Sequence, residues 1–217
     1  MKQLRLFSLL FVLLFLSECA TYKAQYAKEM NQTIDHPNEE VEHTFYLIGD
    51  TGNAKLNEST PALDLLKQKM WDATENSTLL FLGDNVYPVG IPKKKGEKRT
   101  LAKHRLQVQL DVAKEFPGEV VFIPGNHDWY SGLDGLKAPE KAVEKALGKN
   151  SFLPESGCPL DRMKISKDVE LIVVDTQWYI TNWDNHPKMN DNCEIKTRHK
   201  FFDEFKGLLK KAQGKTT

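Results

Sequence analysis

No excess of charge of either sign marks this chain: 30 Lys and Arg stand against 30 Asp and Glu in 217 residues. Nucleic acids are held mainly through a surplus of basic side chains on the phosphate backbone, so no nucleic acid is expected as a partner. A phosphorylated small molecule would have to be met by local charge, most simply by metal ions. The apolar run Leu6–Leu16 is also too short to cross a bilayer, which takes about 20 residues. Cysteine is scarce, at three residues, and Cys158 and Cys193 show no CxxC-type spacing, which disfavours a zinc site. Repeats and low-complexity tracts are missing. What remains is an ordinary globular balance, 40% apolar and 28% charged, in a length that fits one domain.

The amino terminus stands apart from that domain. Lys2 and Arg5 precede the run Leu6–Leu16, the layout of a secretory signal peptide over residues 1–19. The run closes on Leu16-Ser17-Glu18-Cys19, which resembles the bacterial lipobox, where the cysteine becomes the lipidated first residue. The expectation is an exported lipoprotein anchored to a membrane through Cys19, in the bacterial periplasm or at the outer membrane or cell surface. The plainer alternative is a leader cleaved near Ala20. With Cys19 used for lipid, Cys158 and Cys193 form an even pair in an oxidising compartment, and a disulfide between them is predicted. Residues 20–42 are polar and aperiodic and read as a tether.

Three segments then share one form: Tyr46 to Gly52 (YLIGDTG), Leu80 to Tyr87 (LFLGDNVY) and Val121 to Asp128 (VFIPGNHD). Each is an apolar run stopped by glycine and followed at once by Asp or Asn. In an open α/β sheet, ligands bind outside the carboxyl ends of the strands, where such turns deliver polar groups. Asp50, Asp84, Tyr87, Asn126 and His127 are therefore expected to converge. Carboxylates from separate strand ends suit hard cations, and a shared one can hold two ions about 3.5–4 Å apart. Glycine before each ligand lets backbone and ion come close.

The surrounding pattern alternates strand and helix. Strands are expected at Phe45–Ile48, Leu79–Leu82 and Val120–Ile123. Helices are expected from Thr60-Pro61, where proline takes the first helical position, over about 98–116, over Ala138–Leu147 and over Thr197–Ala212. Met163–Ile165 and Glu170–Val174 read as a hairpin. This order predicts an α/β fold with a mainly parallel or mixed sheet and helices on both faces. Around the strand ends, Asp175, Trp178 and Tyr179 are candidates to line the pocket, although core or rim packing is the simpler role for the two aromatics. Trp183 and His186 are candidates for substrate contact. His104 and His199 lie on helices and read as structural or solvated. Lys93–Lys95 is a solvated loop or an attractor of phosphate.

Gly83-Asp-Asn-Val-Tyr87 and Gly125-Asn-His-Asp128 resemble the GDxxY and GNH[DE] motifs of the calcineurin-like metallophosphoesterases. Asp50-Thr-Gly52, together with Tyr87, resembles the purple acid phosphatase variant. The resemblance implies half of a four-layer α/β/β/α sandwich over residues 43–217 and two metal ions, iron with zinc, manganese or a second iron. It implies that Asp50 and Tyr87 bind the first ion, that Asp84 bridges both and that Asn126 binds the second. It further implies that metal-bound hydroxide attacks a phosphomonoester, while His127 stabilises the transition state or protonates the leaving alkoxide and Asp128 orients the His127 ring. The family's later VxxH and GHxH motifs have no match in these 217 residues. Two expectations follow: a phosphatase whose chain is cut short and turns over slowly, or a non-catalytic lipoprotein that serves as a binding or structural module.

Overall fold

Three short strands form the centre of the fold: β1 (Thr44–Ile48), β2 (Ser77–Leu82) and β3 (Glu119–Ile123). They make a parallel sheet in the order β1-β2-β3, with Tyr46 level with Leu79 and Leu79 level with Val120. The computed structural model describes residues 40–181 and 192–214. The leader, Cys19, the tether as far as residue 39, Trp183 and His186 lie outside the described residues. Among the described residues no helix is long and apolar enough to cross a membrane.

The central strand is buried from Ser77 to Phe81 and apolar from Leu79 onward, because both of its faces are covered. Its side chains alternate between two clusters, as a strand's period of two requires. Leu79 and Phe81 join the main core with Phe122, whose ring stacks on Phe81 at 4.0 Å. Leu80 points the other way and packs with Val121, Leu153 and Val173. Edge strand β1 leaves Leu47 60% exposed.

Helix α1 (Pro61–Lys69) starts where its cap dictates. Thr60 Oγ1 accepts from Leu63 N at 3.3 Å, Pro61 needs no partner for a missing N–H, and Leu63 and Leu66 turn into the core. Helix α2 (Glu97–Ala113) buries Ala102, Leu106 and Leu110 along one stripe, together with a polar residue, Gln109. After the single turn α3 (Asn126–Trp129) comes α4 (Gly132–Leu147). This helix begins six residues before the expected Ala138, and Pro139 sits inside it. Buried Leu133 and Leu136 anchor the early turns and outweigh the hydrogen bond that Pro139 cannot donate.

The hairpin pairs β4 (Leu160–Lys164) with β5 (Glu170–Val174) in antiparallel register. Strand β4 is longer at its start than Met163–Ile165, because Leu160 is buried opposite Val174. Helices α5 (Thr176–Ile180) and α6 (Arg198–Lys211) close the described chain.

The predicted disulfide is present. Cys158 and Cys193, 35 residues apart in sequence, are bonded with Cα atoms 5.3 Å apart, tying the entry of β4 to the segment before α6. A closed loop of that length removes about 3–4 kcal/mol of entropy from the unfolded chain. Reduction should lower the urea midpoint accordingly, and a midpoint indifferent to reductant would show that the bond stabilises nothing.

Candidate metal centre

Each strand of the parallel sheet ends one residue before a turn that carries a donor. Asp50 follows β1, Asp84 follows β2, and Asn126 opens α3 beyond β3. Both aspartates are left-handed, with φ of 58° and 55°, a conformation that Asp tolerates better than most residues but at a cost. The second and third turns meet backbone to backbone. A Cβ on Gly83, itself at φ +101°, would lie 2.8 Å from Gly125 Cα, and one on Gly125 would lie 2.3 Å from Asp84 N. Glycine is thus needed at both positions for the turns to touch.

Four of the expected residues come together through Tyr87. Its hydroxyl lies 2.6 Å from Asp50 Oδ1 and 2.8 Å from Asp84 Oδ2. Burial, reinforced by those bonds and by both carboxylate charges, pushes the phenol well above its ordinary pKa. Only a strong positive charge nearby would reverse that balance. Asp84 Oδ1 meanwhile accepts from His127 N at 3.0 Å. Asn126 lines the same cleft as Asp50 and Asp84, a space of about 730 Å³ also bounded by Tyr130, Thr176 and Gln177.

The imidazole of His127 sits between two phenol rings, 4.2 Å from Tyr87 and 4.8 Å from Tyr130 by centroid. Its Nδ1 is 2.7 Å from Pro88 O. A carbonyl only accepts, so Nδ1 carries the hydrogen and Nε2 is the ring atom available for proton transfer.

Asp128 does not orient that ring, which corrects the sequence-based expectation. Consecutive helical residues point about 100° apart and do not face each other. The Asp128 carboxylate is fully buried and accepts from Gly125 N (2.9 Å), Asn85 N (3.1 Å), Asn85 Nδ2 (3.1 Å) and Val86 N (3.0 Å). It therefore stitches the second turn to the third. Burial raises its pKa to about 6, against the pull of those donors and with help from the Asp84 charge.

Asp175 is likewise buried and lies away from the cleft lining. It caps α5 by accepting from Trp178 N (2.9 Å) and receives Trp129 Nε1 at 2.6 Å. Burial lifts it to about 7, opposed by these bonds and helped by the Asp128 charge. Trp178 is core, and Tyr179 packs on Phe201 and Phe202. It is their neighbours Thr176 and Gln177 that reach the cleft. His104 Nε2 bonds Glu58 O at 3.0 Å, and His199 pairs with Asp203 on the surface of α6. Within the basic loop, Lys93 is engaged by Asp134.

Helix α2 supplies a second clasp with no motif to announce it. Gln109 Oε1 accepts from Thr51 Oγ1 at 2.8 Å while its Nε2 donates to Asn85 O at 2.7 Å, joining the first turn to the second. Arg105 does the same through Ala54 O (2.9 Å) and Tyr87 O (2.8 Å). The available signal was Gln109 falling on the apolar stripe of its helix, since a polar side chain buried there must find partners.

Among the described residues no three His, Cys, Asp or Glu side chains gather as a metal site. The converging donors are instead two carboxylates, a phenol and an amide. All can present oxygen, which fits hard cations. On one side of Asp84 three such donors meet. Asn126 adds a further oxygen donor to the same cleft lining. Both charged residues on the cleft lining are negative, so an anion can enter only in company with a cation. Oxygen donors gathered at the strand ends of an α/β fold define a candidate site for hard cations. More narrowly, the sequence model of the calcineurin-like phosphoesterases matches residues 43–216, and the chain belongs to that family of metal-dependent phosphoester hydrolases. Comparison with curated proteins and with solved structures returned no match.

Proposed function

We propose that the protein is a binuclear phosphomonoesterase of the purple acid phosphatase kind. The observation that carries this reading is the Tyr87 hydroxyl set between Asp50 and Asp84, where a phenolate would complete the ligands of a trivalent iron. Asp50, Asp84 and Tyr87 would hold that ion. Asp84 and Asn126 would hold a second, either zinc, manganese or another iron. Bound there, the pair supplies an activated water and positive charge against the phosphoryl oxygens. The remaining work falls to the chain. His127 would hold a proton at Nε2 for the departing alkoxide, with Pro88 O fixing its tautomer and the two phenol rings limiting its rotation. Asp128, Gln109 and Arg105 keep the three turns in place, so that the donors need little rearrangement when charge develops.

The disulfide favours an oxidising compartment. Together with the leader it supports export as a lipoprotein held at the membrane by Cys19, in the bacterial periplasm or at the outer membrane or cell surface. The substrate is taken to be a phosphorylated small molecule.

Hydrolysis of 4-nitrophenyl phosphate by the protein, before and after loading with iron and zinc or with manganese, tests the assignment. Turnover should require metal and stop with chelator. It should also be slow, because the described residues offer two donors on the Asn126 side. A protein that retains no metal and releases no nitrophenol under any loading would overturn the proposal.

A further inference from the structure

Tyr130 belongs to none of the motifs, yet it touches two members of the site. It lies one helical turn beyond Asn126, the spacing at which side chains on a helix meet. Asn126 Nδ2 donates to the Tyr130 hydroxyl at 2.5 Å. The Tyr130 ring stands edge-on to His127. Tyr130 is 55% exposed, so its hydroxyl contributes little to the core and its place needs another reason.

An asparagine amide presents two unlike faces, a donor and an acceptor. A hard cation takes only the oxygen. An amide free to turn would offer the NH2 group to the cleft for part of the time and repel the ion. With Nδ2 committed to Tyr130, Oδ1 is the amide atom left for the cleft, and it makes no hydrogen bond within the described residues.

We propose that Tyr130 is a positioning residue that locks the Asn126 amide with its oxygen toward the Asp84 side of the cleft. This rests on the reading of Asn126 as a metal ligand. The hydroxyl does the locking and the ring braces His127, so Tyr130→Phe removes the first function and keeps the second. Partners that orient a metal ligand are typically worth 10–100-fold in metal affinity.

Two measurements on the same pair of proteins decide it. In metal-free protein, the Asn126 side-chain NH2 resonances should show slow hydrogen exchange and a hydrogen-bonded shift, both lost in Tyr130→Phe. In a Mn²⁺ titration followed by electron paramagnetic resonance, the weaker of two sites should weaken about 10-fold or more in the variant. The tighter site, on Asp50, Asp84 and Tyr87, should be unchanged, as should the unfolding midpoint. Equal amide exchange in both proteins, or equal affinity at the weaker site, would overturn the role given to Tyr130 and leave the metal reading standing. A wild-type protein that binds no Mn²⁺ at all would overturn both.

Discussion

Asp128→Ala should cost the protein much of its stability while leaving every proposed metal donor in the sequence. The carboxylate takes four N–H bonds, three of them from the backbone of Asn85, Val86 and Gly125. Removing it strands two buried backbone donors, Asn85 N and Val86 N, at about 1–3 kcal/mol each and a part-buried one, Gly125 N, so the loss should be no less than about 2 kcal/mol. Set against a typical total of 5–15 kcal/mol, that is a severe change. Urea unfolding reads it directly, and a variant within about 1 kcal/mol of the wild type would show that the stitch between the two turns is not needed.

The same group leaves a trace in the pH dependence. Asp128 has a folded pKa raised by burial to about 6, above its ordinary 3.8. The folded state therefore binds this proton more tightly than the unfolded chain does, and stability falls as pH rises from about 4 through 6. Asp175, raised to about 7, extends the decline through neutrality. Wild-type stability should drop across both windows. In Asp128→Ala the decline between about 4 and 6 should lose the Asp128 share and become shallower, while that of Asp175 continues toward 7. What persists should be weaker than the Asp175 contribution in the wild type, since the Asp128 charge is one of the causes that raise it. A flat profile from pH 4 to 7.5 in the wild type would contradict the burial argument for both carboxylates.

Asp84→Asn should have the opposite character, destroying function and sparing the fold. The amide keeps the shape of the side chain, can still accept from His127 N and tolerates the left-handed backbone at this position. Repulsion between Asp50 and Asp84 is also relieved, so the metal-free variant should unfold at or slightly above the wild-type temperature. Activity is a different matter, because Asp84 is the donor common to both proposed ions. Charge stabilisation by a metal is worth several kcal/mol, and about 4 kcal/mol corresponds to roughly a thousandfold in rate. Metal-dependent hydrolysis should fall by at least that factor, and Mn²⁺ binding should weaken at both sites. A variant that retains metal and a tenth of its activity would remove Asp84 from the centre of the mechanism.

Set side by side, the two carboxylates show how much of the site could be seen in advance. Asp50, Asp84, Tyr87 and Asn126 were legible because each follows an apolar run at a turn, and strand ends of a parallel sheet share one side of the molecule. Nothing comparable marks a carboxylate whose role is to hold two turns together. Adjacency to His127 suggested the wrong partner for Asp128, since neighbours on a helical turn diverge. Gln109, Arg105 and Tyr130 were missed for a related reason: their partners lie on other elements or one turn away. The early start of α4 was hidden by Pro139, whose local preference was outweighed by the burial of Leu133 and Leu136.

Local chemistry was enough to place the three parallel strands, the hairpin and four of the six helices, the Cys158–Cys193 pairing, the calcineurin-like family and the polar residues at the strand ends. Each depends on residue type and short-range spacing, which a linear chain carries openly. The direction of each side chain, and the buried groups that hold one turn against another, depended on how separate elements pack. A hydrogen bond across 24 or 42 residues, as from Gln109 to Asn85 or from Val86 to Asp128, exists only once the sheet and α2 have closed. For that reason the residues that converge at the strand ends could be named from the linear order, whereas those that hold them in place emerged only from the folded chain.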